Sequence, residues 1–268
     1  MPSQLLQLAP GLLRWTGAGG PFDYEVSPRV FVPTLTSEAI VEALGQVTDL
    51  GVVLDIGCGA GFLAIVAARL GARRVYATDV SRDAVRLART NADRAGVGDC
   101  VRVVCSDGLE AFPAHTVNAD VVINDISGVP DILASRLGWY PEGAVGGGDG
   151  ITLPLRVIDG LPQVLRPDTG VLVQPLGSVQ FTPAIKRRLD ALFKTRTVAA
   201  YRQFFLPKQA MCGDLSEINS LRQQGRMRLW EARGLTWWEA EVHVCEGLRE
   251  RYRGAAAQPA ISTNEGSL

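Results

Sequence analysis

The stretch Val52-Val53-Leu54-Asp55-Ile56-Gly57-Cys58-Gly59-Ala60-Gly61 decides the fold. A run of apolar residues ends in an acid, and three alternate glycines follow. An apolar run without polar alternation reads as a strand buried on both faces, part of a parallel sheet under helices. Glycine lets the backbone turn tightly and approach a ligand with no β-carbon in the way. The spacing is GxGxG, directly after the strand-terminal Asp55. A dinucleotide fingerprint needs GxGxxG, and a phosphate loop needs GK[ST]; neither is present. With no pyrophosphate to hold, the loop suits a ligand that joins a sugar to an amino acid.

Outward from this loop the pattern repeats. Residues 63–70 read as a helix, 74–79 as a strand ending in Asp79, and 83–95 as a helix with Ala84, Leu87, Ala88 and Ala95 on one face. Two further strands follow, 101–107 ending in Asp107 and 119–125 containing Asn124. After a loop come a helix at 153–165, a strand at 170–175 and a basic helix at 183–193. Strands alternating with helices imply a parallel sheet covered on both faces. Ligands in such sheets bind beyond the carboxyl ends of the strands. Asp55, Asp79, Asp107 and Asn124 all fall on such ends, which argues for one shared crevice. Asp79, 24 positions after Asp55, can accept from both hydroxyls of a ribose. Asp55 can face an amine. Cys58 sits where the loop needs a small residue and is not read as a nucleophile.

The two ends differ from this core. Residues 1–48 read as an N-terminal segment, with a hairpin from 22–26 and 29–32 and a helix capped by Thr36 or Ser37. Residues 49–254 form the main domain, with strands at 198–205 and 237–245 around an insertion at 207–236. That insertion, with a helix at 216–224, reads as a lid or as a contact in a homodimer. Its arginines, with those of Lys186-Arg187-Arg188, read as solvated faces. Residues 255–268 read as a disordered tail.

Composition narrows the function classes. With 47% hydrophobic and 21% charged residues among 268, the chain can bury a sizeable core. A net charge of −1 gives no basic track for nucleic acid. Five cysteines without CxxC spacing and two histidines argue against a metal site and against a disulfide framework. Reduced thiols, the lack of a secretory leader and the lack of a long apolar run point to the cytoplasm and away from membranes.

These residues together resemble class I S-adenosylmethionine (SAM)-dependent methyltransferases. Residues 55–61 resemble their first motif, Asp79 their second-strand acid, and Ser106-Asp107-Gly108 their adenine contact. The resemblance spans roughly residues 50–180. It implies SAM as cofactor, with Asp55, Gly57, Cys58, Gly59, Gly61, Asp79, Val80, Asp107, Gly108 and Asn124 as its binding residues. It also implies a Rossmann-like, seven-stranded, mostly parallel α/β sheet with helices on both faces and an antiparallel last strand. A closer resemblance is to the HemK/PrmC protein-glutamine N-methyltransferases. It is carried by residues 22–38, by Gly146-Gly147-Gly148-Asp149-Gly150 before a helix, and by residues 165–173.

One motif departs from that family. Its Asn-Pro-Pro-Tyr is here Asn124-Asp125-Ile126-Ser127. In the family this motif grips a planar amide, and the loss of both prolines and the aromatic argues against glutamine as acceptor. The N-terminal segment is also short for a docking bundle. The expected partner is therefore a small polar or basic molecule, methylated on nitrogen by in-line transfer, with Asn124, Asp125 and Glu142 as the catalytic residues. Acids there, with Asp149, favour a guanidinium or amine. The competing reading is that Asp125 caps the next turn and that Glu142 and Asp149 are solvated. Trp139-Tyr140 read as a wall of the acceptor pocket or as packing, and Trp15 and Phe22 as a cover for the cofactor. The alternatives are O-methylation, a protein glutamine- or arginine-directed enzyme, and a SAM-binding protein without catalysis.

Overall fold

The computed structural model describes residues 4–138 and 147–252. Three short strands open the chain: β1 (Leu5–Ala9), β2 (Leu12–Trp15) and β3 (Phe22–Glu25). They form a separate antiparallel meander in which β3 pairs with β2. The expected hairpin is thus replaced: residues 29–32 form no strand, and the partner of Phe22–Glu25 lies upstream. The reason is burial. Phe22 and Tyr24 point inward on one face of β3 and pack, with Trp15, against Phe62 at 5.2–6.1 Å between ring centroids. Trp15 and Phe22 are therefore core residues behind the glycine loop, where they cannot cover a cofactor.

Helix α1 (Leu35–Leu44) follows, capped by Thr34, two residues before Thr36, the earlier of the two expected caps. The Thr34 hydroxyl accepts from the Thr36 N–H, and the Thr34 N–H donates to the Ser37 hydroxyl at 3.3 Å, a reciprocal cap. The alternating core then runs β4 (Val52–Ile56), α2 (Phe62–Arg69), β5 (Arg74–Asp79), α3 (Arg82–Arg94), β6 (Val101–Cys105) and β7 (Val121–Asn124). A short helix α4 (Asp131–Leu137) leads toward α5 (Thr152–Gly160), β8 (Val171–Gly177), α6 (Thr182–Leu192) and β9 (Phe193–Phe205). The chain ends with α7 (Ser216–Gln223), β10 (Trp230–Ala232) and β11 (Leu235–Leu248).

The sheet order is β6-β5-β4-β7-β8-β11-β9, parallel from β6 to β8, with β11 antiparallel between β8 and β9. The expected seven strands are all present, and β10 adds an eighth beside the first residues of β11. Alternate side chains serve opposite faces, as a strand requires. Val53, Val121 and Val173 join the core under α1, α2 and α3. Leu54, Val122 and Leu172 join the core under α5 and α6.

The insertion has its own small core. Leu206, Ala210, Ile218, Leu221 and Met227 pack with Trp238 and with Leu133 of α4. Residues 235–239 of β11 extend past Gly177, the last paired residue of β8. At about 3.4 Å per residue this ribbon rises some 17 Å beyond the carboxyl edge of the sheet. The insertion thus stands as a wall beside the strand ends that carry the site.

Candidate functional site

The glycine loop is built for close approach. Gly57, Gly59 and Gly61 all take positive φ, from +52° to +85°. The N–H groups of Gly57 and Cys58 both donate to the Thr78 carbonyl at 2.8 Å, tying the loop to the end of β5. At Gly61 the requirement is steric as well, because an added Cβ would meet the Ala88 Cβ of α3 at 3.0 Å. Cys58 is buried, and burial pushes its thiol well above its ordinary value. It is a neutral spacer, as its place in the loop implied.

Asp55 is fully buried, and among the described residues neither carboxylate oxygen has a well-formed hydrogen bond, although the Ala64 N–H lies close by. Burial, then the nearby charge of Asp125, pushes it up to about 8. An orphaned carboxylate at the floor of a crevice is costly unless a ligand pairs with it. Asp79 is better served: one oxygen accepts from the Gly59 N–H at 2.9 Å, the other from the Ser81 N–H at 2.8 Å. Lone pairs remain on both oxygens for two ligand hydroxyls. Val80, beside Asp79, is 65% exposed and offers an apolar platform next to that acid.

Asp107 differs from expectation. Its carboxylate is gripped by both terminal guanidinium nitrogens, Nη1 and Nη2, of Arg156 on α5. Asp107 meets a ligand only alongside that cation, a partner the strand-end reading missed. Gly108 lies at φ +56°, and its carbonyl accepts from the Thr78 hydroxyl at 3.2 Å.

On the acceptor side, Asn124 is fully buried. Its Nδ2 donates to Gln174 Oε1 at 2.7 Å and to the Pro154 carbonyl at 3.4 Å. Gln174 in turn donates from Nε2 to the Pro175 carbonyl at 2.9 Å and to the Asn124 carbonyl at 3.4 Å. Backbone carbonyls accept only, so they settle both amide orientations: Gln174 must turn its nitrogen to them and its oxygen to Asn124. The Asn124 Oδ1 is left buried with no partner among the described residues. Gln174 carried no sequence signal; it lies on a strand 50 residues downstream, and only the β7–β8 pairing brings it there.

Asp125, the first residue after β7, turns the other way. It is half-buried and accepts a hydrogen bond from Ser37 of α1. It lines a narrow crevice with Phe31, Pro33, Asp55, Gly57 and Gly59. Asp149 pairs with Arg226 of the insertion at 3.6 Å, so it is no free acid for a guanidinium. Glu142, Trp139, Tyr140 and Gly146 lie outside the described residues, and so does the tail expected at 255–268. Among the described residues no His/Cys/Asp/Glu group could hold a metal ion, and all five cysteines are free. None of the described helices is long and apolar enough to cross a membrane.

The sheet order, the glycine cradle and the acids at successive strand ends define a class I SAM-dependent methyltransferase domain. Within it, residues 35–136 match the family model of the ribosomal protein L11 methyltransferase, PrmA. The release factor glutamine methyltransferase of Moorella thermoacetica is 31% identical over 189 residues, 67% of this chain and 63% of that protein. That of Chlorobaculum tepidum is 35% identical over 45% of this chain and 41% of its own. The ribosomal protein L11 methyltransferase of Pelotomaculum thermopropionicum is 43% identical over 35% of this chain and 28% of its own. The chain thus spans less than two thirds of these relatives. The resemblance to HemK/PrmC-type enzymes holds. Among solved structures, the M. jannaschii tRNA m1G37 methyltransferase shares the fold, with a TM-score of 0.55 over 89% of this chain and 55% of its own at 14% identity.

These matches overturn one expectation. The relatives are named for protein acceptors, a release factor and ribosomal protein L11, so a small-molecule acceptor is not supported. The error came from reading pocket polarity as acceptor size. A site meets only the reacting group and its neighbours, and those look alike on a free molecule and on a protein side chain.

Proposed function

We propose that this chain is a SAM-dependent N-methyltransferase that modifies a side-chain nitrogen of a protein, of the kind its relatives are named for. The observation that carries the nitrogen assignment is the lone Asn124 Oδ1. A buried oxygen with no donor among the described residues favours an acceptor group that brings a hydrogen-bond donor, as the side-chain nitrogens of the relatives' named protein acceptors do, and it repels a carboxylate. The free thiols suit a cytoplasmic location.

The residues present fit the cofactor. Asp55 supplies an unpaired carboxylate, Asp79 the lone pairs for ribose hydroxyls, and the glycines an approach free of β-carbons. When bound, SAM supplies an electrophilic methyl on a sulfonium. The protein's task is then placement in a site shielded from water, which serves an in-line displacement better than acid–base machinery. Asn124 accepts from the attacking nitrogen and orients its lone pair, and Gln174 and Pro154 hold Asn124 in that attitude. The nitrogen attacks in its neutral form, becomes cationic on gaining the methyl, and then sheds a proton to solvent.

The test uses SAM labelled in the methyl group with purified bacterial release factor and ribosomal protein L11, followed by mass mapping of the modified residue. Label on a side-chain nitrogen is expected. Failure to bind SAM would overturn the cofactor reading. Tight SAM binding with neither protein labelled would overturn the acceptor reading.

A further inference from the structure

The crevice between α1 and the glycine loop holds two acids and no base. Its lining comprises Asp55 and Asp125 together with Ser37, Phe31, Pro33, Phe62 and the loop, with no lysine, arginine or histidine among the lining residues. Among the described residues neither oxygen of Asp55 forms a hydrogen bond at zero exposure, and the Ser37 hydroxyl donates to Asp125. Two carboxyl groups turned into one narrow space repel when both are ionised. Such a pair is stable in its charged form only around a cation. The space between them is lined by Gly57, Cys58 and Gly59, the loop shaped for the cofactor's amino-acid end.

Strand geometry separates this pair from the acceptor. Successive residues at the end of β7 face opposite sides of the sheet. Asn124 turns to α5 and β8, where it meets Pro154 and Gln174, while Asp125 turns to α1, where it meets Ser37. We propose that Asp125 belongs to the cofactor half of the site, where it and Asp55 together seat the α-ammonium of SAM. This rests on the SAM reading above. It reassigns Asp125, expected from the sequence to act on the acceptor. It also gives a reason for an acid where the related motif has proline: the charge serves ligand affinity while leaving the acceptor amide to Asn124.

The test compares two ligands by calorimetry: S-adenosylhomocysteine, which carries the ammonium, and 5′-methylthioadenosine, which lacks the amino-acid end. Asp125→Asn should weaken S-adenosylhomocysteine by about 10-fold or more, the scale of a charge-assisted hydrogen bond. It should leave 5′-methylthioadenosine within about 2-fold, since the lost charge faces only the ammonium. The unliganded variant should melt higher than wild type, because a buried repulsion with Asp55 is gone, which separates the effect from misfolding. Equal weakening of both ligands, or unchanged S-adenosylhomocysteine affinity, would overturn the assignment to the ammonium. If wild-type protein bound neither ligand, the SAM reading itself would fall.

Discussion

Gly61→Ala should destabilise the protein by an amount that follows from two separate distances. Gly61 sits at φ +85° as the cap of α2, and a Cβ there would lie 3.0 Å from the Ala88 Cβ and 3.1 Å from its Cα. The left-handed backbone costs a non-glycine residue about 1–2 kcal/mol. The stiffer unfolded chain returns about 0.4–1 kcal/mol. Overpacking against α3 adds about 1–3 kcal/mol. The net is about 2–4 kcal/mol, or a fall in Tm on the order of 5–10 °C for a chain of this size. Gly71→Ala is the internal control. It has φ +101° with nothing within 4 Å of its Cβ, so only the backbone component applies and the loss should be near 1 kcal/mol. Adding Ala88→Gly to Gly61→Ala removes the nearer contact, although glycine within α3 itself costs about 1 kcal/mol. The cycle should therefore show a favourable coupling of about 1 kcal/mol by urea unfolding. Additive behaviour, or a Gly61→Ala loss no larger than that of Gly71→Ala, would refute the claim that α3 presses on the loop.

Two further outcomes follow from the buried polar groups. Gln174→Leu removes the shorter of the two Asn124 Nδ2 bonds, leaving the 3.4 Å bond to the Pro154 carbonyl, and loosens the amide, so kcat/KM for the protein acceptor should fall about 10- to 100-fold while S-adenosylhomocysteine affinity stays put. Gln174→Glu should restore activity as pH falls, since only the protonated acid can donate to the Pro175 carbonyl; an active Leu variant would show that Gln174 does not position Asn124. The second outcome concerns pH. Burial pushes Asp55 up to about 8 and Asp125 up to about 7, from 3.8. The folded protein therefore keeps protons that the unfolded chain has lost, and their contribution to stability is full below about pH 4 and declines as pH rises toward about 8. Asp79, also pushed up by burial, lies near enough to Asp55 to interact with it, and the neutral Cys58 lines the crevice. Other acids of the chain, such as Asp190, are lowered by ion pairs and act in the opposite sense. The difference between wild type and Asp125→Asn isolates the effect: wild type should lose more stability between pH 5 and pH 8.5 in urea titrations. S-adenosylhomocysteine affinity should rise over the same window, and a parallel pH profile for both proteins would contradict the coupling.

Much of the parallel core was readable along the chain because its signals are local. A strand buried on both faces must be apolar throughout, and a loop that admits a ligand must be glycine-rich, so residues 52–61 spell out both. Asp79, 24 positions on, follows from the fixed length of a strand–helix–strand unit. The short helix α4 was missed because Gly128, Pro130 and Gly138 frame only seven helical residues, too few to show a period. The three-stranded meander was misread because the partner of Phe22–Glu25 is chosen by aromatic packing on Phe62, a contact that sequence spacing does not encode.

The sequence by itself determined the fold class and the cofactor cradle, since those depend on residue type at short range. Tertiary structure decided everything that turns on direction and on distant partners. Asn124 and Asp125 are neighbours in the chain, yet the pleat sends one to Gln174 and Pro154 and the other to Ser37 and Asp55. Which amide oxygen stays free, which acid faces an ammonium and which is tied to Arg156 are set by the packing of β8, α1 and α5 around the strand ends. Those elements lie up to about 90 residues from the motif they orient, and a contact over that separation leaves no trace in local spacing.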